Sequence, residues 1–172
     1  MANQKESIED SLQSASEGTY GKNYKDHLLE QYKLYIEMTD KISDRRQTVN
    51  NFFLTITTAF ISAIGITGFF QQEKTEINKD FILFLTIGVV VSCYVWYRMI
   101  RSYKDLNSAK FKVIHEIEKQ LPIRPFEAEW TALGRGKNKR KYLPFSRIEM
   151  FIPLILGLIN LSLMLYLWFF YG

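Results

Sequence analysis

Few residues in the sequence have the type and spacing that chemistry needs. His115, Glu116 and Glu118 fall together in VIHEIEK, and a helix would place His115 and Glu118 on neighbouring turns. Zinc takes three or four ligands, whereas the only other histidine is His27 and no cysteine is near, so the cluster reads as solvated helix charges. Serine hydrolysis would call for a nucleophile context such as G-x-S-x-G, which the sequence lacks. Gly134-Arg135-Gly136-Lys137-Asn138 has the look of a phosphate loop, but no strand precedes it and no Ser or Thr follows the Lys. With no acid and base paired in a pocket, the sequence predicts a non-enzymatic protein with no metal and no organic cofactor.

The basic run Lys137, Lys139, Arg140 and Lys141 is more informative, because no acidic residue interrupts it. Such a cluster next to a bilayer attracts anionic headgroups, at about 1 kcal/mol per charge. It equally serves as a topology signal for the apolar segment that follows. The run is too short, and too close to that segment, to suggest a nucleic-acid partner.

The elements that carry these residues follow from the distribution of apolar side chains. The chain has 172 residues, the size of one ordinary domain, and its 47% hydrophobic content is average for a globular protein. The single cysteine, Cys93, excludes a disulfide scaffold, and 15% aromatic residues exclude a mainly disordered chain. The apolar residues concentrate in three blocks: NFFLTITTAFISAIGITGFF at 51–70, FILFLTIGVVVSCYVWY from Phe81 with Met99 and Ile100 beyond Arg98, and MFIPLILGLINLSLMLYLWFFYG at 150–172. About 20 helical residues cross a hydrocarbon core, and so short a chain has too little other protein to bury three such blocks. The expected fold is all-α, with three transmembrane helices, long helical cytoplasmic extensions and assembly into a helical oligomer.

Basic residues set the orientation. Lys33, Lys41, Arg45 and Arg46 precede the first block, Arg98, Arg101, Lys104, Lys110 and Lys112 follow the second, and Arg135 to Arg147 precede the third. The linker QQEKTEINKD carries only Lys74 and Lys79 against three acids. The positive-inside rule then puts the N-terminus in the cytoplasm and Gly172 outside. The organisation reads as a disordered or weakly ordered tail at 1–21, a cytoplasmic amphipathic helix at 22–50 and a first span at 51–70. An external loop at 71–80 leads to a second span at 81–100. A cytoplasmic helix, Pro turn and basic loop fill 101–148, and the third span is 149–172. The first block begins far from Met1, behind a polar segment, so no cleavable signal peptide is expected.

Both cytoplasmic stretches show helical periodicity. Leu28, Tyr32, Tyr35, Ile42 and Val49 form one stripe, with Thr39 and Arg46 in the same series. Tyr103, Leu106, Val113, Ile117 and Leu121 form the other, widened by Phe111 and Ile114, and nothing breaks that helix before Pro122. The stripes can pack against each other within one chain, between chains, or both. Phe111 and Ile114 are the expected cytoplasmic part of an oligomer interface. In the spans, Thr55, Ala59 and Ala63 repeat at four-residue spacing, which lets helices approach closely. Asn160, in the middle of the third span, needs a partner on another helix, so Ala59, Ala63 and Asn160 are the expected interface within the membrane.

Three segments together resemble a known family: YIEMTDKISDRRQTVNNFFLTI before and into the first span, RSYKDLNSAKFKVIHEIEKQLPIRPFEAEW after the second, and YLPFSRIEMFIPLIL leading into the third. Their order and wording are similar to the RipA-type family of small bacterial octameric integral membrane proteins, over roughly Tyr32 to Pro153. The resemblance implies a bacterial inner-membrane protein that assembles as a ring of eight; it supplies no catalytic motif. The functional expectation is a homo-oligomeric membrane scaffold with a cytoplasmic helical region, whose partners are its own copies and anionic lipids. The competing reading is a membrane channel or permeabilising effector, for which the hydroxyl set Thr55, Thr58 and Ser62 is the only polar stripe in a span.

Overall fold

A computed structural model describes residues 7–70, 79–137 and 142–171. The expected external loop, apart from its last two residues, lies outside the described residues, as do Lys139, Arg140 and Lys141. The fold is all-α, with no strand among the described residues. Two short helices, α1 (Ile8–Leu12) and α2 (Glu17–Tyr20), precede α3 (Tyr24–Phe70) and α4 (Lys79–Glu118). Then come α5 (Pro125–Ala132), a 3-10 turn at Gly134–Gly136, and α6 (Phe145–Tyr171). Three helices, α3, α4 and α6, are long and apolar enough to cross a membrane.

Each long helix starts and stops for local reasons. Between Lys22 and Ile64 the chain contains neither Gly nor Pro, and α3 runs unbroken through its polar and apolar halves for 47 residues. That is about 70 Å at 1.5 Å per residue. Helix α4 is likewise continuous, but it ends at Glu118 rather than at Leu121. The N–H groups of Lys119, Gln120 and Leu121 bond to the carbonyls of Glu116, Ile117 and Glu118, so the last turn tightens to three-residue spacing ahead of Pro122. Pro144 stands just before α6, where its missing N–H costs nothing. Inside α6, Pro153 is fully buried and leaves the carbonyl of Glu149 without its helical donor.

The chain divides into two compact units. Unit 1 comprises Met1–Ser43 and Asp105–Leu143; unit 2 comprises Asp44–Lys104 and Pro144–Gly172.

In unit 1 the polar parts of α3 and α4 run antiparallel. Tyr24 meets Gln120, Tyr32 meets Glu118, and Tyr35 lies under Lys110. The core is Tyr32, Ile114 and Ile117, with Leu28, Phe111 and Phe126 packed against it. The α3 stripe is the expected one, with Thr39 buried inside it. The α4 face is largely the expected one, with Ile114 and Ile117 buried and Phe111, Val113 and Leu121 packed beside them. Lys110 and Glu118 are buried as well, while Leu106 is exposed. Apolar periodicity alone missed these two members of the face, because they are charged residues that find partners inside.

In unit 2, α4 packs against both other long helices. Its buried face carries Ile82, Leu85, Val89, Cys93, Trp96 and Ile100, at three- and four-residue spacing. Gly88 and Gly157 allow the close approaches. A Cβ at Gly88 would lie 3.4 Å from the Phe60 ring of α3, and one at Gly157 would lie 3.4 Å from Cys93 Cβ. Phe53 stacks on Trp96 with ring centroids 6.2 Å apart.

Candidate functional site

The polar centre of unit 1 is Glu118, which is 0% exposed. Expected as a solvated charge, it sits instead at the last helical position of α4, pointing at the start of α5. Its Oε1 accepts from the Tyr32 hydroxyl at 2.9 Å and from the Phe126 N–H at 2.9 Å, and its Oε2 accepts from the Glu127 N–H at 3.0 Å. Phe126 and Glu127 belong to the first turn of α5, where N–H groups have no helical acceptor. Arg124, the residue before that helix, offers no side-chain cap, so Glu118 supplies from another element what a Ser or Asp cap would supply locally. Three donors account for the burial of a carboxylate that has no cation bonded to it among the described residues. The tyrosine responds in turn. Burial first, then the hydrogen bond to Glu118 and its charge, push the Tyr32 hydroxyl up to about 12.

From α5 the polar contacts continue towards the basic run. Glu127 pairs with His115, 3.4 Å from its Nδ1, and with Arg135. Gly134, Arg135 and Gly136 all have positive φ. Gly136 must be glycine for a second reason: a Cβ there would come within 3.0 Å of the Trp130 ring. Trp130 also meets Tyr142 edge-on, with centroids 6.2 Å apart. One side chain of α5 therefore pins both the residue before Lys137 and the residue after Lys141.

No group of three or more His, Cys, Asp or Glu side chains suited to a metal ion occurs among the described residues. Beside the core of unit 1 lies a groove of about 120 Å³ lined by Tyr20, Tyr24, His27, Gln31 and Gln120 among others. Its polar groups largely bond one another: Tyr20 Oη with His27 Nδ1 at 2.8 Å, and Tyr24 Oη with Gln120 at 2.9 Å.

Unit 2 has its own polar layer where the apolar parts of its helices begin or end. Arg46 Nη1 lies 3.5 Å from Glu149 Oε2, and the Trp96 indole N–H donates to Asn50 Oδ1 at 2.9 Å. The Arg46 Nε and Glu149 Oε2 atoms are buried without a hydrogen bond. Arg46 thus joins α3 to α6 within one chain rather than merely snorkelling. The carbonyl freed by Pro153 belongs to the same Glu149.

The residues expected to hold an oligomer together lie in different surroundings. Ile114 is fully buried in the chain's own core, and Phe111 is half-buried against Phe126 at 5.8 Å between centroids. Ala59 is exposed and Ala63 half-buried. Asn160 is buried, and its amide donates to the Leu156 carbonyl at 2.9 Å, one turn back on its own helix. Of the expected lipid contacts, only Lys137 is among the described residues, and it is exposed. Sequence reasoning missed the Glu118–Tyr32 pair and the Arg46–Glu149 pair. The signal for the first was Glu118 continuing the α4 stripe; for the second it was Arg46 continuing that of α3.

Three long apolar helices with polar layers at their ends define a multi-pass membrane protein. The chain belongs to the octameric membrane protein family (8xMP), whose sequence model matches residues 29–170. Neither a curated protein nor a solved structure matches it.

Proposed function

We propose that this chain is a non-enzymatic bacterial inner-membrane scaffold that assembles as a homo-octamer. In this reading unit 2 lies in the bilayer, and unit 1 projects into the cytoplasm. The observation that carries it is membership of an octameric membrane protein family by a chain with three membrane-length apolar helices. Unit 1 supports the scaffold reading by its construction. Its conspicuous polar network is spent on structure: Glu118 caps α5, and Glu127 ties α5 to His115 and Arg135. The basic run Lys137, Lys139, Arg140 and Lys141 follows Gly136 and precedes Tyr142, which both lie against Trp130, and its charge suits the anionic surface of the inner leaflet.

Native mass measurement of the detergent-solubilised protein tests both parts. The expected mass is that of eight copies with anionic lipid retained. Replacing the four basic residues with Gln should reduce the retained lipid. A monomer across several mild detergents overturns the assembly, and unchanged lipid retention overturns the headgroup contact.

One observation favours a second reading. Thr55, Thr58 and Ser62 are exposed on a face of α3 away from the buried Thr57. Hydroxyls on the outside of a span suit either a neighbouring copy or a water-filled opening. Steady single-channel currents from the reconstituted protein would select the channel.

A further inference from the structure

We infer that the flank of unit 1 bearing Leu34, Met38 and Leu106 is a docking surface for a second copy of this chain. The inference rests on the homo-oligomer proposed above and goes beyond it by naming the face. Leu34 is 59% exposed, Met38 53% and Leu106 46%, although all three belong to the helix pair that builds the core of unit 1. Their positions follow from helical geometry. At about 100° per residue, Met38 sits about 90° and Leu34 about 130° from the buried Tyr32–Tyr35–Thr39 line of α3. Leu106 and Val113 sit about 45–70°, in the same rotational sense, from the buried Lys110–Ile114–Ile117 line of α4. In an antiparallel pair, offsets of the same sense fall on one side of the seam. The contacts of Tyr32 with Glu118 and of Tyr35 with Lys110 set Leu34 and Met38 alongside the 106–113 stretch. The four side chains therefore lie along one side of the seam as an apolar strip, with Val113 half-buried at its inner edge.

The strip is framed like an interface. On α3 it is bordered by Glu30, Glu37 and Lys41, and the two glutamates are already paired along the helix, Glu30 with Lys33 on the next face and Glu37 with Lys41. An apolar centre with a polar rim, on a helix pair outside the apolar spans, is the pattern of a protein-protein contact. The occupant is a second copy because the family to which the chain belongs is octameric. Every protomer of such an assembly must cover part of its surface with a neighbour. Phe111 and Ile114 already pack in the chain's own core, which leaves less of their surface for a neighbour than Leu34, Met38 and Leu106 offer.

Cysteine labelling tests the assignment cleanly, because the one native cysteine, Cys93, is buried. Met38→Cys is compared with Lys33→Cys, a position on another face of the same helix. Both are exposed to a polar maleimide in permeabilised membranes holding the full-length protein, before and after SDS. Met38→Cys should react at least about tenfold more slowly in the intact assembly and catch up in SDS, whereas Lys33→Cys should react alike in both. A second variant, Leu34→Glu with Met38→Glu, should keep its helical content and move the native mass towards smaller species. If the parent itself is monomeric, the homo-oligomer falls and this interface with it. If the parent is oligomeric and Met38→Cys labels as fast as Lys33→Cys, the interface alone is wrong. Protection of Met38→Cys with an unchanged mass for the double variant would mean that lipid or another segment covers the strip, which also overturns it.

Discussion

Glu118 shows what a single buried carboxylate does when no cation among the described residues meets it. Its two oxygens take a phenol hydroxyl and two helix-start N–H groups, so α3, α4 and α5 share one acceptor. Glu118→Gln keeps the shape but turns an amide N–H towards donors. At least one of them would lose its acceptor, and a buried unsatisfied donor costs about 1–3 kcal/mol. The expected result is a loss of stability of that size, with faster hydrogen exchange at the Phe126 and Glu127 amides. Unchanged exchange there would show that Glu118 does not hold α5. Tyr32 adds a pH dependence of definite sign. Its phenol is held protonated in the fold, near 12, against about 10 in an unfolded chain. Between these values the folded state keeps a proton that the unfolded state has lost. Its contribution is therefore complete below about pH 10 and declines as pH rises towards 12. Tyr32→Phe should flatten that part of a stability–pH curve, and an identical slope in the variant would exclude the coupling. Only the register of Glu118 with the α4 stripe was legible in the sequence, where it otherwise stands among helix charges. Its partners lie 86 positions away on α3 and beyond a double-proline turn.

The helices themselves were far more legible. Continuity of α3 and α4 follows from the lack of Gly and Pro in their polar halves, and the spans follow from the length of uncharged sequence. Less legible was how far the inward face of α4 extends. Leu106 looked like part of the stripe and is exposed; Lys110 looked exposed and is buried, with its Nζ 4.4 Å from the centre of the Tyr35 ring. Close approach in the spans falls at two glycines, Gly88 facing Phe60 and Gly157 facing Cys93, while Thr55 and Ala59 are exposed within the chain. Gly88→Ala brings a methyl to 3.4 Å from an aromatic ring, an ordinary contact, while improving helix propensity. It should leave the thermal midpoint in detergent close to that of the parent. Gly88→Leu would drive a branched side chain into the same ring and force α3 and α4 apart, at about 1–3 kcal/mol. A clearly lower midpoint for Leu, with little change for Ala, is the expected pair of results. Equal midpoints for the two variants would mean that the approach of these helices does not limit stability.

At the scale of the whole molecule, the proposed orientation draws on two observations, one for the side and one for which span ends meet. The first is the charge of the connecting segments, basic before the first and third spans and after the second, nearly neutral between the first and second. The second is the polar layer of unit 2. The Arg46–Glu149 pair brings together the start of the apolar part of α3 and the start of that of α6. The Asn50–Trp96 bond adds the end of the apolar part of α4. These three boundaries therefore share one border, and they are the boundaries that the basic segments adjoin. Trp96 at this border and the exposed Trp168 and Phe169 near the far end of α6 suit the two headgroup regions, where aromatic rings settle. In the reading proposed above, the basic side is the cytoplasm, so the N-terminus and the basic run lie inside and the C-terminus outside. A reporter active only in the periplasm should accordingly be active when fused after Gly172 and silent when fused after Lys141. A reporter active only in the cytoplasm should give the mirror pattern. Because the basic run itself helps to set the orientation, the Lys141 fusion must retain all four of its charges. Periplasmic activity after Lys141 together with silence after Gly172 would invert the protein and place the basic run against the outer leaflet. That result would remove both the orientation and the proposed contact with inner-leaflet lipid.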